Sequence, residues 1–280
     1  MKSSFVYQLL LLLSCSLISC QRAIQSSDAS NRFDISQDLL LLHYDCKTDV
    51  DDLHSIAAFA SVIDRPDLQG LQYHAVAGTY GIQGGLYVPP EELMPLAFGD
   101  RWSDAHADFD QAVANVKLIA METLSTGGDV WIAEAGQSDF SAALVKAIKA
   151  ASSKIKPTDR IHIVQHSNWN EESTDPAALA YVQAETDYHK IPDGNAEANG
   201  TPGYRDPDFA DWHRYVTQPK KILLWNTANR LSKAYNGVDG RYLNEAMDQG
   251  GMDFSDFSEV QYILQIDGIE TVTEYFESLP

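Results

Sequence analysis

Residues 39–42 are four consecutive leucines, and within ten positions they are followed by four aspartates, Asp45, Asp49, Asp51 and Asp52. A short apolar run bounded by polar residues reads as a buried strand over 38–44. Leu53, Ile56, Ala57, Ala60 and Ile63 then recur with helical spacing and predict a helix over 51–63. Asp51 and Asp52 fall in its first turn, where the helix dipole favours carboxylates. Acids gathered at the C-terminal end of a buried strand repel one another unless something positive or rich in hydroxyls is shared among them. The segment therefore predicts a small-molecule site, with a sugar as the expected guest.

The same alternation continues along the chain. Strands are expected over 71–77, 129–133, 160–165 and 221–225. Helices are expected from a Ser103 cap to about Leu124, over 140–151, from the Thr174-Asp175-Pro176 start, around 231–235 and 242–247, and last over 257–264. Residues 187–204 read as a polar loop over the site. Strand and helix in alternation predict an α/β fold, a mostly parallel sheet with helices on both faces in a single domain. Ligands in such sheets sit beyond the carboxyl ends of the strands, where each polar cluster of this chain falls.

The ends and the charge narrow the setting. Lys2, the apolar stretch 5–13 and small residues up to Cys20 form an export signal, too short to span a bilayer comfortably. Leu17-Ile18-Ser19-Cys20 resembles the lipobox of bacterial lipoproteins. That resemblance implies a signal peptide over 1–19, lipidation of Cys20, a flexible tether over 20–37 and a folded domain over 38–280. Gln21 implies the outer membrane of the cell envelope as the destination. Cys15 leaves with the signal and Cys20 carries lipid, so Cys46 is alone and no disulfide framework is expected. With 20 basic and 40 acidic residues the formal charge is −20. That field excludes recognition of nucleic acid by charge.

Asp45 with the pair Asp51-Asp52, after an apolar strand and before a helix, resembles the nucleoside hydrolase superfamily. The spacing of Asp45, Asp49, Asp51, Asp52 and Ser55 is closer to a branch described as cellulose-binding, nucleoside-hydrolase-like proteins. Weaker likenesses are 75–79, the turn 135–139, Asn168-Trp169-Asn170-Glu171, and Asp253-Phe254-Ser255-Asp256. The resemblance implies a calcium ion, magnesium being the other hard cation, held among Asp45, Asp49, Asp52, Asp139 and Asp256. It implies Asp45 or Asp49 as the catalytic base, and a nucleoside or sugar held by Asp51, Thr79, His166, Asn168, Asn170 and Glu171. His166, His189 and Tyr80 are the candidates to protonate or stack on a leaving base.

One departure leaves two functions open. Where the hydrolases carry a metal-binding aspartate four residues before the paired acids, this chain has Lys47. Either Asp49 supplies the missing oxygen, giving a hydrolase of N-glycosidic bonds, or the Lys47 ammonium replaces the cation, giving a sugar-binding lipoprotein. The residues also have plainer roles: Asp51 and Asp52 as first-turn acids, Ser255 and Asp256 as a helix cap, 168–171 as a surface turn. Aspartyl-phosphate chemistry of the haloacid dehalogenase kind needs an acid two residues after Asp45, and that position is Lys47. The oligomeric state is left open, a homo-oligomer included.

Overall fold

Leucines 39–42 run through the middle of the central sheet. The computed structural model describes residues 32–195 and 201–280, and Asp34–Pro280 form one compact unit. Its strands are β1 (Leu39–Tyr44), β2 (Gln72–Ala77), β3 (Trp102–Asp104), β4 (Val130–Ala135), β5 (Ile161–Gln165) and β6 (Asp187–Lys190). They lie in the order β3-β2-β1-β4-β5-β6 and every pairing is parallel. A separate antiparallel ribbon pairs β7 (Arg205–Asp206) with β8 (Met252–Asp253).

The helices that matter for the site are α1 (Asp51–Val62), α2 (Phe109–Thr126), α3 (Asp139–Ala151), α4 (Asn168–Ser173), α5 (Pro176–Glu185), α6 (Pro219–Tyr235), α7 (Glu245–Asp248), α8 (Phe257–Leu264) and α9 (Val272–Glu277). Strand periodicity sorts them. Leu39 and Leu41 join a core with Phe140, Leu144, Val145 and Ile148 of α3, Val116 of α2 and Val182 of α5. Tyr44, of the opposite parity, stacks instead on Phe98, which also packs against Phe59 of α1. Each leucine so buried contributes roughly 2 kcal/mol from water exclusion.

The strand order reverses direction between β1 and β4. In doubly wound sheets the loops after those two strands diverge to opposite faces and open a crevice. Here that crevice lies between Asp45, just past β1, and Gly136, just past β4.

Several expectations change. Residues 221–225 are part of α6: Pro219 sits in its first turn, and Leu224, Trp225, Ala228, Leu231 and Ser232 form one buried face. A short apolar run does not separate strand from helix, and length decides it. The expected helix around 231–235 is the end of α6. Ser103 caps nothing; it lies in β3 with its hydroxyl 2.9 Å from His74 Nε2, and Asp108 caps α2 through Gln111 N. Helix α1 is buried on all sides from Asp52 to Val62, not on one face. The C-terminal elements cover it: Trp225 Nε1 donates to Ser61 Oγ at 3.0 Å and the Tyr275 hydroxyl to the Ala58 carbonyl at 2.7 Å. Residues 187–190, expected as loop, form the edge strand β6, and α9 follows the helix expected to be last. Asp34 belongs to the compact unit and accepts bonds from Ser36 and Gln37. Cys20 and the signal segment lie outside the described residues. Among the described residues no helix is long and apolar enough to cross a membrane.

Candidate functional site

At the crevice lies a cavity of about 420 Å³, lined by Asp45, Asp49, Asp51, Asp52, Asp193, Asp253 and Asp256 against the cations Lys47 and Arg205. Local chain geometry turns these acids inward. After β1 the chain bends at Cys46 (φ 51°), and its N–H donates to Asp52 Oδ2 at 2.9 Å. Lys47 N donates to Asp45 Oδ1 at 2.7 Å, and Gln137 Nε2 to Asp45 Oδ2 at 2.6 Å. Gly136 has φ +127°, and a Cβ there would stand 2.4 Å from Asp45 Oδ2, so only glycine admits this carboxylate.

The far wall comes from the C-terminal part. Asp256 stands at the N-terminus of α8 yet makes no capping bond. Its Oδ2 accepts from Ser55 Oγ at 3.2 Å, and its Oδ1 lies 3.3 Å from His166 Nε2. The β7–β8 ribbon sets Arg205 opposite Asp253, with Arg205 Nε 3.4 Å from Asp253 Oδ2. Asn244, the cap of α7, donates to Asp253 Oδ2 at 2.8 Å and reaches Asp49 Oδ1 at 3.2 Å. One amide thus ties the acidic turn after β1 to the C-terminal ribbon.

Loss of hydration raises the pKa of these acids, and mutual repulsion adds to it. Asp45 and Asp49 are each held at about 7, burial coming first and then the charge of Asp256 or Asp253. Asp253 reaches only about 6, because Asn244 and Arg205 oppose its burial. Asp51 and Asp52 are pushed well up by burial, by Asp49 and Asp45 respectively, and by Asp256. At His166 burial lowers the pKa, but Glu259 and Asp256 outweigh it and bring the imidazole to about 9. Gly194 N–H donates to His166 Nδ1 at 3.0 Å, which favours the opposite state, a neutral ring with its proton on Nε2. Positive charge placed among the acids would tip that balance to the neutral ring.

The donor set suits a hard cation. Asp51, Asp52 and Asp256 each offer an oxygen, all within 4.8 Å of one another. Oxygens around a calcium ion stand roughly 3.4–4.8 Å apart at its usual bond lengths. Asp52 Oδ1 is buried with no N–H or hydroxyl donor on it. The Asp45 carboxyl beside Asp52 can bond it only when one of the two keeps a proton, so a cation would satisfy the ionised pair. Lys47 does not fill that place. Its ammonium sits 3.8 Å from the centroid of the Tyr80 ring, and among the described residues no carboxylate forms an ion pair with it.

Of the residues singled out from sequence, Asp45, Asp49, Asp51, Asp52, Asp256, His166 and Asn170 meet at this cavity. Four others do not line it. Thr79 is fully buried behind the strand ends. Asn168 is exposed in α4. Glu171 is occupied by Tyr188 and Lys190, each at 2.8 Å. Asp139 begins α3, where its Oδ2 accepts from Asp175 N at 3.3 Å. Neither His189 nor Tyr80 lines the cavity; the Tyr80 hydroxyl bonds His106. Sequence reasoning missed Asn244, Arg205, Asp193, Asn195 and Tyr242, while Trp169, within the likeness at 168–171, is exposed at the mouth and not in the core. Asp253 stood in a quoted motif but was assigned no role. Of the segment 187–204, Asp193 and Asn195 line the cavity and Gly194 touches His166, while residues 196–200 lie outside the described residues.

The fold and site define a doubly wound α/β protein with an acid-walled pocket at the reversal of strand order. Comparison with protein-family models, curated protein sequences and solved structures finds no match for this chain.

Proposed function

We propose that this protein is a divalent-cation-dependent hydrolase that opens the N-glycosidic bond of a nucleoside or related ribosyl compound, anchored to the bacterial envelope through Cys20. The observation that carries the reading is the convergence of Asp51, Asp52 and Asp256 from opposite ends of the fold, with Asp52 Oδ1 left without a donor beside a cavity of ligand size. Asp51, Asp52 and Asp256 would hold the ion, with calcium or magnesium suiting an all-oxygen set. When bound, it supplies a fixed positive charge that orients vicinal hydroxyls and makes a water easier to deprotonate.

The chain's own groups divide the remaining work. Asp45 has both oxygens in hydrogen bonds, so it holds charge and position. Asp49 Oδ2 has only a 3.4 Å contact to Asn244 and is the better placed of the two to take a proton from a water. The surrounding negative charge stabilises the oxocarbenium character that grows at the anomeric carbon. Trp169 and Tyr242 at the mouth offer flat apolar faces to a leaving base or a second sugar.

The test is a release assay over a panel of nucleosides and aryl glycosides, with and without chelator. Ribosyl release that stops with chelator, and falls by at least about 100-fold in Asp256→Asn, is expected. Sugar binding without turnover of any substrate would move the assignment to a binding protein.

A further inference from the structure

A second cluster of ligating side chains lies away from the acidic cavity, at the β5–β6 edge of the sheet. In the β5–β6 pairing His162 is opposite Asp187 and Val164 opposite His189, so His162, Asp187 and His189 share one face. Asp187 Oδ2 is 2.8 Å from His162 Nδ1 and 2.9 Å from His189 Nε2. One ligand atom from each of the three residues lies within 4.8 Å of the others. His162 and the cavity residue His166 are four positions apart on and just past β5, about 13 Å along an extended chain. None of the three residues lines the acidic cavity.

We propose that His162 Nδ1, Asp187 Oδ2 and His189 Nε2 form a binding site for a borderline-soft divalent metal, with Zn2+ as the fitting ion. Two imidazoles and a carboxylate are a ligand set for zinc and not for calcium, which takes oxygens alone. Ligand atoms around tetrahedral zinc stand roughly 3.3 Å apart given its usual bond lengths, so the two contacts need to open by only about 0.5 Å.

The surroundings orient the first ligand. His162 Nε2 faces Asp129 Oδ2 at 3.4 Å, and Asp129 is in turn clamped by Arg160. A carboxylate on the far nitrogen keeps the proton there and turns the Nδ1 lone pair toward the metal. Trp131 stacks on His162 at 4.0 Å between centroids and fixes the plane of that ring. His162 is buried, whereas Asp187 and His189 are 28% and 27% exposed at the side chain, so a metal can enter and its fourth position faces water. Three protein ligands with an open position are the arrangement of exchangeable or catalytic zinc sites. A bound ion would also fasten the short edge strand β6 to β5.

The full chain, without a histidine tag, would be titrated with Zn2+ by calorimetry and with Co2+ by visible absorption. The expected result is one equivalent of Zn2+ and an intense tetrahedral Co2+ spectrum. His189→Ala should weaken Zn2+ binding by at least about 100-fold and abolish the spectrum, while Asp52→Asn leaves both unchanged. Circular dichroism would confirm that His189→Ala keeps its fold; should it unfold, Asp187→Asn on the exposed side takes its place. Equal Zn2+ affinity in the folded ligand variant and the wild type, or loss of the Zn2+ signal in Asp52→Asn, overturns the proposal.

Discussion

Asp52→Asn is expected to make the cation-free protein more stable and to remove its response to calcium. Asp52 is buried among Asp45 and Asp256, which push its pKa well up, and one of its oxygens meets no donor. The substitution deletes the charge, while the new amide oxygen can still accept from Cys46 N–H, the bond that shapes the turn after β1. For a chain of this size each kcal/mol of relief raises the melting temperature by about 2–4 °C. The same change removes a metal-facing carboxylate, so calcium affinity should drop by at least roughly 100-fold and ribosyl release with it. Melting curves in chelator and in calcium check both halves. A buried acid that only supports the fold would behave oppositely, losing stability on substitution whether or not calcium is present.

The second large effect is the dependence of stability on pH. Asp45, Asp49 and Asp253 have folded-state pKa values of about 7, 7 and 6, raised from 3.8 chiefly by burial. Below about pH 4 both folded and unfolded chains carry these protons. Between about 4 and 7 only the folded chain keeps them, so each rise in pH favours unfolding and stability falls, levelling off above about 7. The three acids interact, so the loss across that window belongs to the cluster as a whole. A divalent cation held by the neighbouring Asp51, Asp52 and Asp256 favours the ionised forms of these acids and offsets the cost. The gap between melting temperatures in calcium and in chelator should therefore widen steadily from about pH 5 to about pH 8. A gap that stays constant across the window would mean that no cation lies close enough to Asp45, Asp49 and Asp253 to favour their ionised forms.

The first half of the site was legible because its physics is local. Four leucines, an acidic turn and a helical repeat fall in one continuous segment, and strand, turn and helix formed where the pattern put them. Strands β4 and β5 were legible for the same reason. The second half depends on pairings distant in sequence. Arg205 meets Asp253 only through a two-residue ribbon, and Asn244 meets Asp49 across 195 positions. No local periodicity carries either contact.

The polar residues that failed to join the cavity have local reasons. Glu171 lies near Tyr188 and Lys190 of the neighbouring edge strand and satisfies both. Asp139 bonds forward to Asp175. Thr79 follows β2, whose end is covered by β3, so its hydroxyl is enclosed. Residues 221–225 misled because an apolar pentapeptide has no period of its own, and Pro219 upstream marked the helix start instead.

The convergence of Asp51, Asp52 and Asp256 on a shared cation is open to a direct view. Crystals grown with Mn2+, an oxygen-seeking ion with an accessible absorption edge, would be measured for anomalous scattering. A peak bonded to oxygens of Asp51, Asp52 and Asp256, and missing from Asp256→Asn crystals, is the result this account predicts. A peak confined to surface acids, or one that persists undiminished in Asp256→Asn, would contradict it.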